Sequence, residues 1–335
     1  MGVDYLLRIV KQMGKYIIGR IIQIIITFFI VMSIIFLLFR IIPSDPSSFL
    51  LTPSMTAEAK ETIRKQFGLD EPIAVQYFIY LKNFIRGNFG TSFYSGRPVM
   101  SIIMERMLNS ILLITTAVII AYIIGISIGK AIAWKRGSKT EKFFVILGLW
   151  FYTTFTPWLG IMFLWIFSFK LKLFPLGGMI TPEKWILDPS LMEKICDMGY
   201  HLILPLVTYV LLWFGGYMLL MRNSMLETLK EDYIVTARAK GLKEKVIKNK
   251  HAARNAMLPI VTAFAISVSF SIGGAVLIET IFSWPGIGRT IVEATLRQDY
   301  PLVQGAFAVI TVVVLLANFV ADIAYAYLDP RISYG

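Results

Sequence analysis

The chain contains 335 residues, of which 56% are hydrophobic and only 16% are charged, whereas a soluble domain carries roughly 25% charged residues. This composition excludes a soluble globular enzyme, a disordered tail and a coiled coil. One cysteine and two histidines exclude an internal disulfide and a cysteine-based metal centre, so no metal site is expected in this chain.

Six stretches without Asp, Glu, Lys or Arg are each long enough to cross a membrane. A helix needs roughly 20 apolar residues to span a hydrocarbon core of about 30 Å. The sequence therefore predicts an all-α integral membrane protein with six transmembrane helices, in which a segment 1–20 precedes a single membrane domain, 21–335. The predicted spans are 21–39, 107–129, 143–169, 198–221, 255–278 and 300–321.

The net charge of +12 is concentrated in three alternate segments of the chain. Residues 1–20 carry +3, residues 130–142 carry +4 and residues 222–254 carry +5. Because Lys and Arg stay on the cytoplasmic side of a membrane, the N-terminus, these two loops and the C-terminus are predicted to be cytoplasmic. The charge therefore reports topology and contact with anionic lipid, and no nucleic-acid partner is expected.

The first outer loop, residues 40–106, contains two short helical patterns. The first covers residues 56–67 and is ended by Gly68, while the second follows Pro72 and ends near Gly87, with ordinary capping signals. This helix pair either covers the outer mouth of a pathway, receives an extracytoplasmic partner, or rests on the membrane surface.

The end of the second span superficially matches a phosphate-binding loop. Only three residues separate Gly125 from Gly129, however, and Ala131 follows Lys130. We interpret this segment as a site of close helix packing that ends in a snorkelling lysine. The sequence contains neither an ATP site nor a catalytic constellation, and no charge lies in a span where it could relay a coupling ion.

The cytoplasmic loop 222–254 carries a short amphipathic helical pattern. It is predicted to stop at Gly241, and small side chains at Ala237 and Ala239 would let a partner approach closely. The pattern fits a helix lying on anionic lipid as well as it fits a helix that docks on a protein. The apolar stripe consists of Leu226, Leu229, Tyr233 and Ala237.

Small residues recur every four positions in the fifth span, at Ala263, Ser267, Ser271 and Ala275. On one helix they would form a narrow face about 18 Å long, at a rise of about 1.5 Å per residue. Such a face suits close packing in lipid, against a partner subunit for example, and the alternative is that it lines a pathway.

The last outer loop combines Glu279 with Trp284-Pro285-Gly286, a sequence that cannot continue a helix smoothly. We interpret it as a re-entrant or interfacial turn near an outer gate. The alternative is that Trp284 is an aromatic anchor at the membrane interface.

Several stretches together resemble one family. The segments D-Y-I-V-T-A-R-A-K-G-L at 232–242 and H-A-A-R-N-A-M-L-P at 251–259 are similar to the cytoplasmic signature of ABC importer permeases of the dipeptide, oligopeptide and nickel class. Val235-Thr236-Ala237 stands where the general signature has Glu-Ala-Ala, and this branch shows similar departures. Further agreement with this branch occurs at 41–46, 67–72, 87–92, 279–289 and 299–305.

The resemblance implies a type I importer permease in a prokaryotic inner membrane. Two permeases, expected to be homologues of each other, would form the pathway, and an extracytoplasmic binding protein would deliver the solute. Two ATPase subunits would bind ATP and Mg, so this chain would hold no cofactor itself. The implied coupling helix that docks an ATPase comprises Asp232, Tyr233, Thr236, Ala237, Arg238, Ala239, Lys240 and Gly241.

The expected cargo is a di- or oligopeptide, and an oligosaccharide or a nickel complex are the alternatives for the same architecture. Trp150, Trp158 and Trp165 could stack on a sugar, although lipid-facing tryptophan is the commoner explanation. Two other classes remain. An ion-coupled carrier would need internal pseudo-symmetry and a coupling-ion site, and a membrane enzyme would need clustered catalytic residues; the sequence displays neither.

Overall fold

The computed structural model describes residues 2–41, 71–271 and 275–328, and these residues are helical apart from loops and one isolated bridge. The all-α prediction is therefore confirmed for the described residues. The outer-loop helix predicted at 56–67 and most of the segment 41–46 lie outside them. The helices are α1 Gly2–Ile41, α2 Ile73–Ile85, α3 Val99–Trp134, α4 Lys139–Thr153, α5 Thr156–Phe163, α6 Pro182–Ile186, α7 Leu191–Thr228, α8 Asp232–Ala239, α9 Glu244–Val246, α10 Ala253–Ala256, α11 Leu258–Ser271, α12 Val276–Ile281, α13 Ile287–Leu296 and α14 Tyr300–Leu328, with π-helical turns at Leu164–Lys170 and Ile247–Ala252.

Four of the described helices are long and apolar enough to cross a membrane. The qualifying segments are Ile17–Leu38 of α1, all of α3, all of α7 and Tyr300–Phe319 of α14. They correspond to the first, second, fourth and sixth predicted spans. Helix α1 runs without a break through residue 20, and the side of the membrane on which each terminus lies stays a prediction.

The third predicted span is not one straight helix. Helix α4 and the segment Thr156–Lys170 meet at an angle of 98°, so the two together make a fifth span only as a bent pair. Phe155 has an extended backbone and Pro157 lies in the first turn of α5. Because proline fits the first turn of a helix but disrupts its interior, Pro157 favours the start of a new helix at this point.

The fifth predicted span is also broken among the residues that are described. Helix α11 has 14 residues, which is roughly 21 Å at 1.5 Å per residue and falls short of a hydrocarbon core of about 30 Å. Ala275 has a non-helical backbone (φ −105°, ψ 72°) before α12 begins. The prediction of six continuous spans is therefore met only in part.

The chain divides into two compact units, one from residues 1–108 with 290–335 and the other from residues 109–289. In the first unit α1 packs against α14 and α2 packs on α1. Met32, Ile35 and Ala308 form the buried centre of this packing. Helix α2 follows Pro72 and the chain leaves it through Gly87 at φ +67°, as predicted.

Asp299 joins two of the family-like segments within the first unit. Its buried carboxylate accepts hydrogen bonds from Ser92 Oγ at 2.5 Å and from the N–H of Phe93 at 3.1 Å. A Cβ added to Gly305 would lie 2.7 Å from Val99 Cγ1. Residues 87–92 and 299–305 therefore pair with each other in space.

In the second unit α3 and α4 pack on α7 through glycines. A Cβ at Gly125 would lie 2.7 Å from the carbonyl oxygen of Phe214, and Gly129 approaches α7 as closely. A Cβ at Gly215 would collide with the backbone of Gly148. The interpretation of the Gly125–Gly129 segment as a packing site is therefore confirmed.

A buried ion pair joins the start of α4 to α7. Glu141 Oε1 accepts a hydrogen bond from Arg222 Nε at 2.8 Å, and the Glu141 side chain is almost completely buried. Ser138 caps α4 by accepting the N–H of Glu141. The pair holds one end of both helices in a fixed register.

Candidate functional site

Helix α8 is a separate element and not a continuation of α7. Helix α7 ends at Thr228, and Glu231 has an extended backbone (φ −69°, ψ 143°) before α8 begins. Gly241, at φ +70°, follows the helix, and its N–H donates to the carbonyl oxygen of Arg238 at 2.9 Å. The predicted stop at Gly241 is therefore confirmed, whereas the prediction of one apolar stripe on a continuous helix is wrong.

One face of α8 is buried in the chain's own core. Ile234 is completely buried, and Ala237 is only 6% exposed. The expectation that the small side chain of Ala237 meets a partner is therefore wrong, whereas Ala239 is exposed. The surrounding cluster consists of Ala133, Met221, Met225, Ile234, Ala237, Ile247, Ala252, Ala253, Ala256 and Ile260.

The segment H-A-A-R-N-A-M-L-P at 251–259 forms the platform under α8. Ala252 and Ala256 are buried, and such small side chains allow close approach of the helix above. Asn255 Nδ2 donates to the hydroxyl of Tyr233 at 2.7 Å. The segments 232–242 and 251–259 therefore pack together as one structure. Their separation in sequence did not reveal this relation.

The opposite face of α8 is exposed and mixes apolar with charged side chains. Val235 is 59% exposed, and Tyr233 and Leu242 are more than a third exposed. Arg238 Nε lies 3.4 Å from Glu244 Oε1. The predicted site residues on this surface are Asp232, Tyr233, Thr236, Arg238, Ala239, Lys240 and Gly241.

The same end of the second unit carries an excess of positive charge. Burial lowers the pKa of the Lys248 ammonium, and the charges of Lys130 and Lys135 lower that pKa further.

Glu279 lies at the centre of a buried turn. The side chain is fully buried, and its carboxylate accepts hydrogen bonds from Ser110 Oγ at 2.6 Å, from the N–H of Arg289 at 3.0 Å and from the N–H of Ala275 at 3.2 Å. Three donors satisfy the carboxylate without a bound cation. The arrangement is that of an internal anchor.

Trp284 belongs to the same turn and is fully buried. Its Nε1 donates to the carbonyl oxygen of Asn109 at 3.0 Å, and Asn109 Nδ2 donates to the carbonyl oxygen of Pro285 at 2.9 Å. A Cβ at Gly286 would collide with the carboxylate of Glu279. A turn is therefore present, and Trp284 is buried in it, which does not fit the alternative of an interfacial anchor. Whether the turn is re-entrant or interfacial, and its relation to a gate, stay predictions.

Ser110 and Asn109 were not predicted as site residues, because nothing local marks them. They lie about 170 positions before Glu279 in the chain, and their role as its partners depends on packing between distant helices. The only indirect signal was the unusual sequence Trp284-Pro285-Gly286, which indicates a turn that something must hold.

The four small residues of the fifth span do not form one helical face. Ser267 Oγ donates to the carbonyl oxygen of Ala263 at 2.8 Å, within α11. Ala263 and Ala275 both pack against the chain's own core cluster. Helix α11 ends at Ser271 and Ala275 is not helical, so the expected 18 Å face is wrong.

No metal-binding cluster occurs among the described residues, since no group of three His, Cys, Asp or Glu side chains in them could hold an ion. The geometry thus offers two features with a functional character. One is the surface helix α8 on its platform, and the other is the buried turn around Glu279.

Two family models match the chain. Residues 123–334 match the binding-protein-dependent transport system inner membrane component, and residues 13–115 match the N-terminal region of the membrane component of the same kind of system. The chain belongs to this family. It is therefore a multi-pass membrane permease component of the ABC transport class, and not itself an enzyme.

Individual relatives agree with the family over nearly the whole chain. A probable peptide ABC transporter permease protein of Sinorhizobium fredii is 34% identical over 96% of this chain and all of that protein. The oligopeptide transport system permease protein AppB of Bacillus subtilis is 35% identical over 96% of this chain and all of that protein. The dipeptide transport system permease protein DppB of Alkalihalophilus pseudofirmus is 34% identical over 89% of this chain and 93% of that protein. The resemblance found in the motifs is thereby confirmed.

Proposed function

We propose that the chain is one of two homologous permease subunits of an ATP-driven importer in a prokaryotic inner membrane. An extracytoplasmic binding protein delivers the solute to the pair. Helix α8 docks on an ATPase subunit, and two such subunits bind the ATP and Mg. This chain supplies half of the pathway and no cofactor.

The observation that supports this proposal is the packing of α8 on the chain's own core. A helix of eight residues is not stable alone in water, so the buried side chains of Ile234 and Ala237 hold it on the platform. The cluster that they enter also contains Met221 and Met225 of α7. A displacement imposed on α8 is therefore transmitted to α7, a helix long enough to span the membrane.

The exposed face of α8 supports protein docking over simple contact with lipid. Asp232, Thr236 and Arg238 stand between Tyr233, Val235 and Leu242 on the exposed surface. A lipid-bound helix segregates its apolar and polar faces, whereas protein interfaces intersperse them.

Peptides are the proposed cargo, because the relatives are named as peptide, oligopeptide and dipeptide permeases. An oligosaccharide or a nickel complex remains the alternative cargo for the same architecture. An ion-coupled carrier has less support, since Glu279 is held by three donors within the described residues and does not resemble a carboxylate that exchanges an ion.

The proposal is tested at Val235, which is exposed on α8 and contributes little to the chain's own packing. Val235→Asp would place a charge in the docked interface, where an unpaired buried charge is costly. We expect at least a tenfold loss of ATPase subunits that co-purify, together with loss of uptake. Leu187→Asp is the matched control, because Leu187 is an 83% exposed aliphatic residue in the loop between α6 and α7.

The two variants must insert into membranes at equal levels for the comparison to hold. Normal ATPase co-purification and uptake in Val235→Asp would contradict docking through α8. Ala237→Leu is not a clean test, because the added atoms would disturb the chain's own cluster before they reached a partner.

A further inference from the structure

A pocket of about 410 Å³ lies beside α8 in the second unit. Its apolar lining includes Trp134 at the end of α3, with Leu226 in the last turn of α7 and Leu229 directly after it. Its charged lining consists of Arg136, Lys230, Arg238 and Glu244. We call this site the basic pocket.

Two cations of the basic pocket form no ion pair within the described residues. Arg238 is paired with Glu244, and the charge of Arg136 acts on Glu141, but no described carboxylate lies within 4.0 Å of Arg136 or Lys230. Both side chains are exposed. The neighbouring Lys135 adds to the positive charge; the pKa of Lys248 is lowered first by burial and then by the charges of Lys130 and Lys135. The pocket is therefore complementary in charge to an anion.

The depth of the basic pocket identifies the kind of anion. Trp134 and Leu226 each follow the end of a charge-free stretch, at Gly129 and Met221, by five residues. That distance is roughly 7 Å along a helix, and the headgroup layer of a bilayer is about 5–7 Å thick on each side. Tryptophan also concentrates at this depth. This spacing would place Trp134 and Leu226 at headgroup level.

We propose that the basic pocket binds the headgroup of an anionic phospholipid. Arg136 and Lys230 contact the phosphate, while Trp134, Leu226 and Leu229 pack against the glycerol and the first acyl carbons. The lipid then lies between α8 and the ends of α3 and α7, so it stabilises the position of α8. This inference rests on the chain's place in a membrane and does not require that α8 docks an ATPase.

The experiment reconstitutes the full transport complex in phosphatidylcholine nanodiscs that contain a minor fraction of phosphatidylglycerol. Native mass spectrometry then measures how much phosphatidylglycerol the chain retains. Each cation at a membrane surface strengthens binding of an anionic lipid by roughly fivefold, so Arg136→Gln with Lys230→Gln lowers its affinity by about 25-fold.

A matched control is present in the same loop region. Lys139→Gln with Lys142→Gln removes the same charge from exposed positions that do not line the basic pocket, and full retention is expected. Arg136→Lys with Lys230→Arg keeps both charges and should restore retention, which separates lost binding from misfolding.

Three results would overturn the proposal. The first is equal retention of phosphatidylglycerol in the two charge-removal variants. The second is complete displacement of the retained phosphatidylglycerol by inorganic phosphate alone, which would indicate a site for a free anion. The third is unchanged lipid retention with loss of the ATPase subunits, which would assign Arg136 and Lys230 to the protein interface. A failure of α8 docking would appear instead in Val235→Asp, with lipid retention unaffected.

Discussion

Gly286 offers the sharpest test of the buried turn, because its substitution introduces one methyl group at a place that has no room. A Cβ at this position would collide with the carboxylate of Glu279 and would lie 2.5 Å from Ser110 Oγ. Ser110 Oγ also accepts the N–H of Ile287 at 2.8 Å. The added methyl must therefore displace at least one of these hydrogen-bonded groups.

The cost of Gly286→Ala follows from two contributions. Overpacking of a tight interior costs about 1–3 kcal/mol, and a broken hydrogen bond to a charged acceptor costs about 1.5–3 kcal/mol. We expect the free energy of unfolding to fall by about 3–5 kcal/mol. The measurement is the SDS-driven unfolding of the purified permease in mixed micelles, followed by tryptophan fluorescence.

Gly199→Ala is the control for Gly286→Ala. Gly199 lies within α7, and no atom lies within 4 Å of an added Cβ, so alanine should be neutral or stabilise the chain by up to about 1 kcal/mol. If the two variants differed by less than about 0.5 kcal/mol, the hydrogen-bonded turn would not be the rigid element described above.

Two further predictions use the same unfolding measurement. Glu141→Gln should lower the free energy of unfolding by about 2–3 kcal/mol, because it leaves the partly buried Arg222 without its counter-charge. Glu105→Gln, which removes the exposed pair with Arg97, should change it by less than about 1 kcal/mol; equal effects would argue against a role for burial. Gly125→Ala should cost about 1–3 kcal/mol by forcing α3 away from α7, while Gly19→Ala, with nothing within 4 Å, should not destabilise, and a neutral Gly125→Ala would contradict the packing.

The buried turn around Glu279 and helix α8 differ in how much of their surface is open to a partner. Glu279 accepts three hydrogen bonds and Trp284 is fully buried, so moving one part of the turn alone would break these contacts. Helix α8 has an exposed face and a buried face, which is the arrangement that the proposed ATPase docking requires.

The local sequence alone determined which segments are apolar helices. The charge-free stretches 198–221 and 300–321 match α7 and α14, because the length of an apolar run reports the thickness that a helix can cross. Gly87 and Gly241 marked helix ends for a similar reason, since only glycine readily adopts positive φ. Pro157 carried a signal for the 98° bend, although the unbroken apolar run around it concealed the boundary.

Tertiary structure alone decided which face of each helix is buried and which distant residues meet. The small side chain of Ala237 suited close contact with a partner. In the structure, however, Ala237 and Ile234 lie on the same face of α8, and both are buried in the chain's own cluster. Ser110 and Glu279 gave no sign of their hydrogen bond, because a contact across 169 positions depends on how α3 packs against the turn. Periodicity and composition describe a helix by itself, whereas burial, hydrogen-bond partners and the basic pocket arise only when separate helices pack together.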